Sequence, residues 1–145
     1  MPEFTLREVP AGEAGPVSDQ IEARLLEALA VTNTQSVNSG FTLACHGDDR
    51  TLLGGLTAST SYGWLLIKTL WVNEANRGTG LGRKLMLEAE ARGRDLGCHA
   101  AWLDTSSSTA HGFYQRLGYK DFGTLRNEPG DIPKDHSRWF MMRRL

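Results

Sequence analysis

The chain has 145 residues, of which 40% are hydrophobic and 23% charged, and its formal net charge at pH 7 is −1. This length and composition predict one globular domain over residues 1–145. The balanced charge argues against the broad basic surface of nucleic-acid-binding proteins, so we predict no nucleic-acid partner. Cys45 and Cys98 are far apart and have no neighbours at metal-ligand spacing, so we predict no metal site and no disulfide scaffold.

The chain contains no segment typical of membrane insertion or secretion. Its longest aliphatic and aromatic run is Trp64–Ile67, far short of the roughly 20 apolar residues that a membrane helix needs. The first ten residues include Glu3 and Glu8 and lack the apolar core of a signal peptide. We therefore predict a cytoplasmic protein with no membrane partner.

The first forty residues predict a strand, a helix and a loop, in that order. Phe4–Val9 alternates loosely between apolar and polar residues, which predicts a short strand. Ser18 is a helix-capping type of residue, and the apolar residues after it recur at helical spacing, which predicts a helix over residues 18–31. The polar stretch Thr32–Gly40 predicts a loop.

The middle of the chain predicts three strands. Phe41–Cys45 and Leu52–Thr60 flank a Gly-Asp-Asp sequence, which is typical of a hairpin. Gly63–Val72 is almost continuously apolar, which predicts a central strand buried on both faces, with Trp71 as a core residue.

The second half of the chain alternates helices and strands. A glycine-rich turn precedes a predicted amphipathic helix that ends at Gly97, and Cys98–Leu103 predicts a buried strand parallel to the preceding one. Thr109–Leu117 predicts a second helix, and the last strands are predicted at Tyr119–Leu125 and Arg138–Arg143. These elements predict an α+β (α/β) domain with a mixed sheet.

The turn at Arg77–Lys84 reads Arg-Gly-Thr-Gly-Leu-Gly-Arg-Lys and lies between a buried strand and an amphipathic helix. Glycines there allow a ligand to approach the backbone, and the first amides of the helix favour an anion such as pyrophosphate. A dinucleotide fingerprint is excluded because its sixth position is Arg83 rather than glycine. A nucleoside-triphosphate loop is excluded because no Lys-Ser/Thr pair follows Gly82.

The remaining pattern, Arg77-x-x-Gly80-x-Gly82, resembles the pyrophosphate-binding signature of the GNAT superfamily of acyl-CoA-dependent N-acetyltransferases. Two flanking segments extend the resemblance: Leu70–Val72 is similar to the family's strand end, and Phe113–Tyr119 is similar to its aromatic segment. The resemblance implies a GNAT fold, in which a mostly antiparallel mixed central sheet contains a splayed parallel strand pair and is flanked by helices.

The resemblance implies acetyl-CoA as co-substrate, with its pantetheine arm between the splayed strands and its pyrophosphate over the glycine turn. The cofactor-binding residues implied are Leu70, Trp71, Val72, Arg77, Gly78, Thr79, Gly80, Leu81, Gly82 and Arg83.

The resemblance also implies a catalytic role for Tyr114, whose hydroxyl would protonate the departing thiolate of CoA. Ser107 departs from the asparagine common in relatives, and its hydroxyl is also of the type that caps a helix. The general base stays open among the four histidines, and an exposed surface histidine is the favoured interpretation of His111. We predict direct acetyl transfer to a primary amine of a small molecule.

The alternatives are a protein N-terminal or lysine acetyltransferase and a non-catalytic CoA-binding module, and a homodimer is also left open. Residues 1–50 contain eight acidic and three basic side chains. In the family that the chain resembles, the first helix usually borders the acceptor slot. We therefore predict a cationic acceptor, with solvation of an outer helix face as the competing explanation of this charge.

Overall fold

The computed structural model describes residues 2–34 and 38–145. The chain divides into two compact units, Met1–Gln35 and Ser36–Leu145, which we describe separately. The prediction of one domain over residues 1–145 stays a prediction.

The first unit contains helix α1, Ala11–Thr32, which follows Pro10. The predicted strand at Phe4–Val9 is wrong, since this segment has no regular structure. The predicted cap at Ser18 is also wrong, because the helix starts earlier and runs through Pro16. The shorter prediction rested on Ser18 as a capping residue and on apolar spacing that begins at Ile21. The helix accommodates Pro16 although this residue has no amide to donate. Part of the predicted loop Thr32–Gly40, residues 35–37, lies outside the described residues.

The second unit is a six-stranded sheet with two helices. The strands are β1 Ser39–His46, β2 Leu52–Ser61, β3 Trp64–Val72, β4 Ala100–Thr105, β5 Lys120–Arg126 and β6 Ser137–Arg144. The helices are α2 Leu81–Asp95 and α3 Ser108–Arg116, and a 3-10 turn spans Glu74–Asn76. The hairpin, the later strands and both helices lie where the sequence predicts them, with small differences at their ends.

The strand order is β1-β2-β3-β4-β6-β5, and every neighbouring pair except β3–β4 is antiparallel. The predicted mixed sheet with one parallel pair is therefore confirmed. Strands β3 and β4 pair only from Trp64 to Leu66 on β3, opposite Ala100 to Trp102 on β4. Beyond this point the two strands separate.

A bulge in β3 lies just past the end of this pairing. Thr57 pairs with Thr69 and Ala58 pairs with Ile67, so Lys68 is an extra residue on β3. A bulge bends its strand and increases its twist, which accounts for the separation of β3 from β4.

The same bulge reverses the alternation of side chains along β3. Leu65 and Ile67 are buried before the bulge, whereas Trp71 after it is 48% exposed. Val72 instead faces α2, since the Val72 side chain lies beside Gly82 of that helix. The prediction that Trp71 is a core residue on a strand buried on both faces is therefore wrong.

Helices α2 and α3 pack on one face of the sheet and enclose the core. The core consists of buried side chains from β2, β3, β4, β6 and both helices, including Leu56, Leu65, Met86, Leu103, Tyr119 and Met141. Each large apolar side chain buried in this way contributes about 1.5–3 kcal/mol to folding.

Candidate functional site

The separation of β3 and β4 opens a gap in the sheet at their carboxyl ends. Because the two strands stop pairing after Leu66 and Trp102, the backbone groups beyond that point on the facing edges are left without a partner strand. A cavity of about 710 Å³ lies at this gap and extends to the turn before α2 and to α3. A ligand with its own amide groups would complete the interrupted sheet.

The cavity is lined by most of the residues that the sequence predicts. The predicted residues in its wall are Leu70, Trp71, Val72, Arg77, Gly78, Gly80, Leu81, Gly82, Arg83 and Tyr114. Thr79 is not in the wall, and its hydroxyl donates a hydrogen bond to the Asn76 carbonyl. The binding and catalytic roles of these residues stay predictions.

The glycine turn presents bare backbone at the start of α2. Gly78 and Gly80 have φ of +77° and +88°, and a side chain built on either would meet no atom within 4 Å. The Lys84 amide donates to the Gly80 carbonyl, which is the first bond of the helix. The amides before Lys84 therefore have no carbonyl partner inside α2 and are suited to an anion.

Three guanidinium groups, of Arg77, Arg83 and Arg116, add positive charge to the cavity wall. The Nε of Arg77 also donates to the Val72 carbonyl at 3.1 Å, which connects the glycine turn to the end of β3. Arg77 therefore has a structural contact in addition to its predicted contact with phosphate, and the Val72 carbonyl is already engaged.

Helix α3 positions Tyr114 at the inner end of the cavity. The helix begins at Ser107, whose Oγ accepts a hydrogen bond from the Ala110 amide, so the predicted capping role is confirmed. Tyr114 is 8% exposed, and its ring makes edge contacts with the rings of Phe113 and Tyr119. Burial raises the pKa of the Tyr114 hydroxyl, so this group stays protonated and is able to donate a proton.

A buried polar network lies behind Tyr114. The Tyr119 hydroxyl donates to Glu90 at 2.8 Å, and Nη1 of Arg143 donates to both Glu90 carboxylate oxygens at 2.9 Å. Glu90 is 1% exposed, so its charge is stabilised by these two partners. Burial and the neighbouring Glu90 carboxylate raise the pKa of Tyr119.

The structure describes all four histidines, and none of them lines the cavity. His111 is paired through Nε2 with Asp121 at 2.8 Å and stacks on Trp139, so its interpretation as an exposed surface histidine is wrong. His99 makes an edge contact with the Trp64 ring.

The cavity wall contains six residues that the sequence did not assign to the site: Asn76, Ser107, Thr109, Ala110, Phe113 and Arg116. Three of them follow helical spacing on α3, at positions 109, 113 and 116, and so share the face that carries one side of the cavity. That spacing was available in the sequence. Asn76 had no such signal, since only the 3-10 turn brings it to the gap.

The model of the acetyltransferase (GNAT) family matches residues 8–119 of the chain. The chain belongs to the GNAT acetyltransferase family. It is 33% identical over 123 residues to acetyltransferase Atu2258 of Agrobacterium fabrum, covering 84% of this chain and 87% of that protein. It is 38% identical over 113 residues to the blasticidin-S acetyltransferase of Streptomyces morookaense, covering 77% and 74% of the two chains.

Among solved structures, an acetyltransferase from Bacillus cereus superposes with a TM-score of 0.83 and 26% identity over 98% of each chain. The family match and the two named relatives show that this protein is an acetyl-CoA-dependent acyltransferase. No helix among the described residues is long and apolar enough to cross a membrane. Residues 2–34 and 38–145 contain no group of three side chains suited to holding a metal ion.

Proposed function

We propose that this protein transfers the acetyl group of acetyl-CoA directly to a primary amine of a small molecule. The observation that carries the proposal is the 38% identity to the blasticidin-S acetyltransferase, whose named substrate is a small molecule. The gap with free strand edges and the cationic glycine turn support acetyl-CoA as the acetyl donor in this proposal.

The cofactor fits the cavity by charge and by shape. The first amides of α2, together with Arg77 and Arg83, would bind the pyrophosphate, because negative charge is stabilised at a helix N-terminus. The pantetheine arm would lie along the free edges of β3 and β4, where its amide groups find backbone partners near Leu70.

The transfer step needs no covalent intermediate on the protein. The acceptor ammonium first loses one proton to solvent. The lone pair of the neutral nitrogen then forms a bond to the thioester carbonyl carbon, and the bond from that carbon to sulfur breaks. The Tyr114 hydroxyl donates its proton to the departing sulfur, and the surplus proton of the amine leaves to solvent. Tyr114 then regains a proton from solvent.

The test is turnover of acetyl-CoA against a panel of small primary amines, with released CoA thiol measured and the acetylated product identified by mass. We expect CoA release that depends on the amine, with equal amounts of N-acetylated product. Tight binding of acetyl-CoA without turnover on any amine would contradict the proposal and favour a CoA-binding module. Acetylation confined to protein lysines or N-termini would favour the protein acetyltransferase.

Several other features stay predictions beside this proposal. We expect a cytoplasmic protein with no nucleic-acid or membrane partner, and a homodimer is left open. Gel filtration with light scattering measures the oligomeric state directly.

A further inference from the structure

The gap between β3 and β4 borders both faces of the sheet. Helices α2 and α3 and the glycine turn lie on the first face, together with the buried residues Leu65 and Leu103. Alternation along β4 places Trp102 and Asp104 on the second face. If the cofactor occupies the first face, the acceptor must approach its thioester from the second face.

Asp104 is the one carboxylate on the two edges of this gap. The edge of β3 beyond its pairing with β4 is Ile67–Val72, which contains Lys68 but no acidic residue, and the edge of β4 is Leu103–Thr105. A cationic acceptor that enters between these edges therefore meets one negative side chain, which lies beside the positive charges of Lys68 and Arg138.

The contacts of Asp104 leave half of its carboxylate available. Arg138 makes both of its contacts with the same oxygen, Oδ1, through Nε at 2.8 Å and Nη2 at 2.6 Å. Among the described residues, the structure shows no hydrogen bond to Oδ2 of Asp104. The Asp104 side chain is 26% exposed, so Oδ2 is able to accept a hydrogen bond from an incoming ammonium group.

An aromatic surface surrounds this carboxylate. Phe140 pairs directly with Asp104 across β4 and β6, and the Arg138 guanidinium lies over the Phe140 ring, 5.6 Å from its centroid. Trp102 lies two residues before Asp104 on the same face. Trp102 and Phe140 also line a groove of about 440 Å³, whose other walls are formed by Trp64, Phe122 and Met142. Its wall is almost entirely apolar, so it favours an apolar or aromatic ligand body over a strongly hydrated one.

We propose that Asp104 determines acceptor specificity: its Oδ2 binds the ammonium group of an amphipathic primary amine whose apolar body packs on Trp102 in this groove. The substrate class is therefore an arylalkyl or similarly apolar amine rather than a short hydrophilic one. This inference rests on the proposed function and adds the chemical class of its acceptor.

The experiment compares phenethylamine with ethanolamine as acceptors at saturating acetyl-CoA. We expect kcat/KM of the wild-type enzyme to be at least about tenfold higher for phenethylamine, because one aromatic ring buried in a groove accounts for such a factor. Asp104→Asn keeps the shape of the side chain and removes its charge. It should raise KM for phenethylamine about tenfold or more, with a smaller effect on kcat and an unchanged Kd for acetyl-CoA.

The matched control is Arg138→Gln, which removes the same ion pair but leaves the Asp104 carboxylate in place. It should keep KM for phenethylamine within about threefold of wild type, since the ammonium then has the carboxylate to itself. Equal increases in KM for both variants would assign Asp104 a purely structural role and overturn the inference. Thermal unfolding of the two variants reports the loss of the ion pair independently of binding.

The outcomes separate this inference from the proposed function. If amines are acetylated but Asp104→Asn leaves KM unchanged, or if ethanolamine is the better acceptor, the inference is wrong and the proposed function stands. If no amine is acetylated although acetyl-CoA binds, the proposed function and the inference are both wrong.

Discussion

Tyr114 combines two properties that a proton donor to a leaving thiolate needs. It lies in the wall of the cavity, and burial raises the pKa of its hydroxyl, which keeps the proton in place until negative charge develops beside it. The neighbouring rings of Phe113 and Tyr119 hold the Tyr114 ring by edge contacts. Removing the hydroxyl alone therefore separates its chemistry from its packing.

We expect Tyr114→Phe to lower kcat by about 10²–10⁴-fold, the usual range for a positioned acid, while the Kd for acetyl-CoA changes little. Steady-state kinetics and calorimetric titration measure the two quantities. Wild-type kcat in the variant would mean that water or another group protonates the thiolate.

Tyr119 links the buried charge of Glu90 to the alkaline stability of the chain. Burial and the Glu90 carboxylate raise the pKa of Tyr119 above its ordinary value of 10.0. Below pH 10 the hydroxyl is protonated in both the folded and the unfolded chain, so its contribution to stability is constant. At higher pH the unfolded chain loses this proton first, and the free energy of unfolding falls.

We expect Tyr119→Phe to reduce the loss of unfolding free energy between about pH 8 and about pH 11, as measured by urea titration. Part of the loss should remain, since the pKa of Tyr114 is raised in the same direction. Identical profiles for the wild-type protein and the variant would contradict the assignment to Tyr119.

At the scale of elements, the start of helix α2 depends on backbone that only glycine adopts easily. Gly80 precedes α2 with φ of +88°, and Gly97 follows the helix with the same φ of +88°. A side chain at either position would enter open space. The two glycines therefore carry similar backbone strain when substituted, but only Gly80 lies in the cavity wall.

We expect Gly80→Val to weaken acetyl-CoA binding at least about tenfold, because its side chain would occupy the space above the α2 amides. Both substitutions should lower the free energy of unfolding by about 1–2 kcal/mol. Gly97→Val should nevertheless keep the wild-type affinity for acetyl-CoA. Calorimetric titration and urea unfolding of both variants measure this difference. Equal affinities for acetyl-CoA would show that the ligand does not approach the turn at Gly80.

The elements of the second unit were largely predictable from local patterns. Alternation and turn residues located β1 and β2, and helical spacing located α2. The bulge at Lys68 was not predictable, because it depends on how β2 pairs with β3 and leaves no mark in the apolar pattern. The same bulge determines which face Trp71 occupies and where the gap opens.

Over the whole chain, charge is distributed unevenly although the net value is only −1. Residues 1–50 carry eight acidic and three basic side chains, whereas residues 77–94 carry two acidic and five basic side chains. Four of the acidic residues, Glu13, Asp19, Glu22 and Glu27, are exposed on α1. An acidic surface attracts cations in general, and salt screens this attraction with a Debye length of about 8 Å at physiological ionic strength.

We expect kcat/KM for a cationic acceptor to fall as salt rises, while kcat changes little. A variant with these four residues changed to Gln or Asn should lose most of this dependence. Kinetics at several salt concentrations, with a neutral hydroxylamine-type acceptor as control, measure the effect. Rates that are indifferent to salt for every acceptor would refute electrostatic attraction by this segment.

The sequence by itself determined the order of elements in residues 38–145, the glycine turn and the position of Tyr114, because each depends on neighbours within a few residues. It misplaced the start of α1 and predicted a strand at Phe4–Val9, since a strand requires a partner that local alternation does not specify. Only the tertiary structure decided that β3 and β4 part after three paired residues, that Asn76 joins the cavity wall and that Oδ2 of Asp104 has no hydrogen-bond partner among the described residues. These features arise from contacts between strands and helices far apart in the chain, and their geometry depends on packing rather than on residue type.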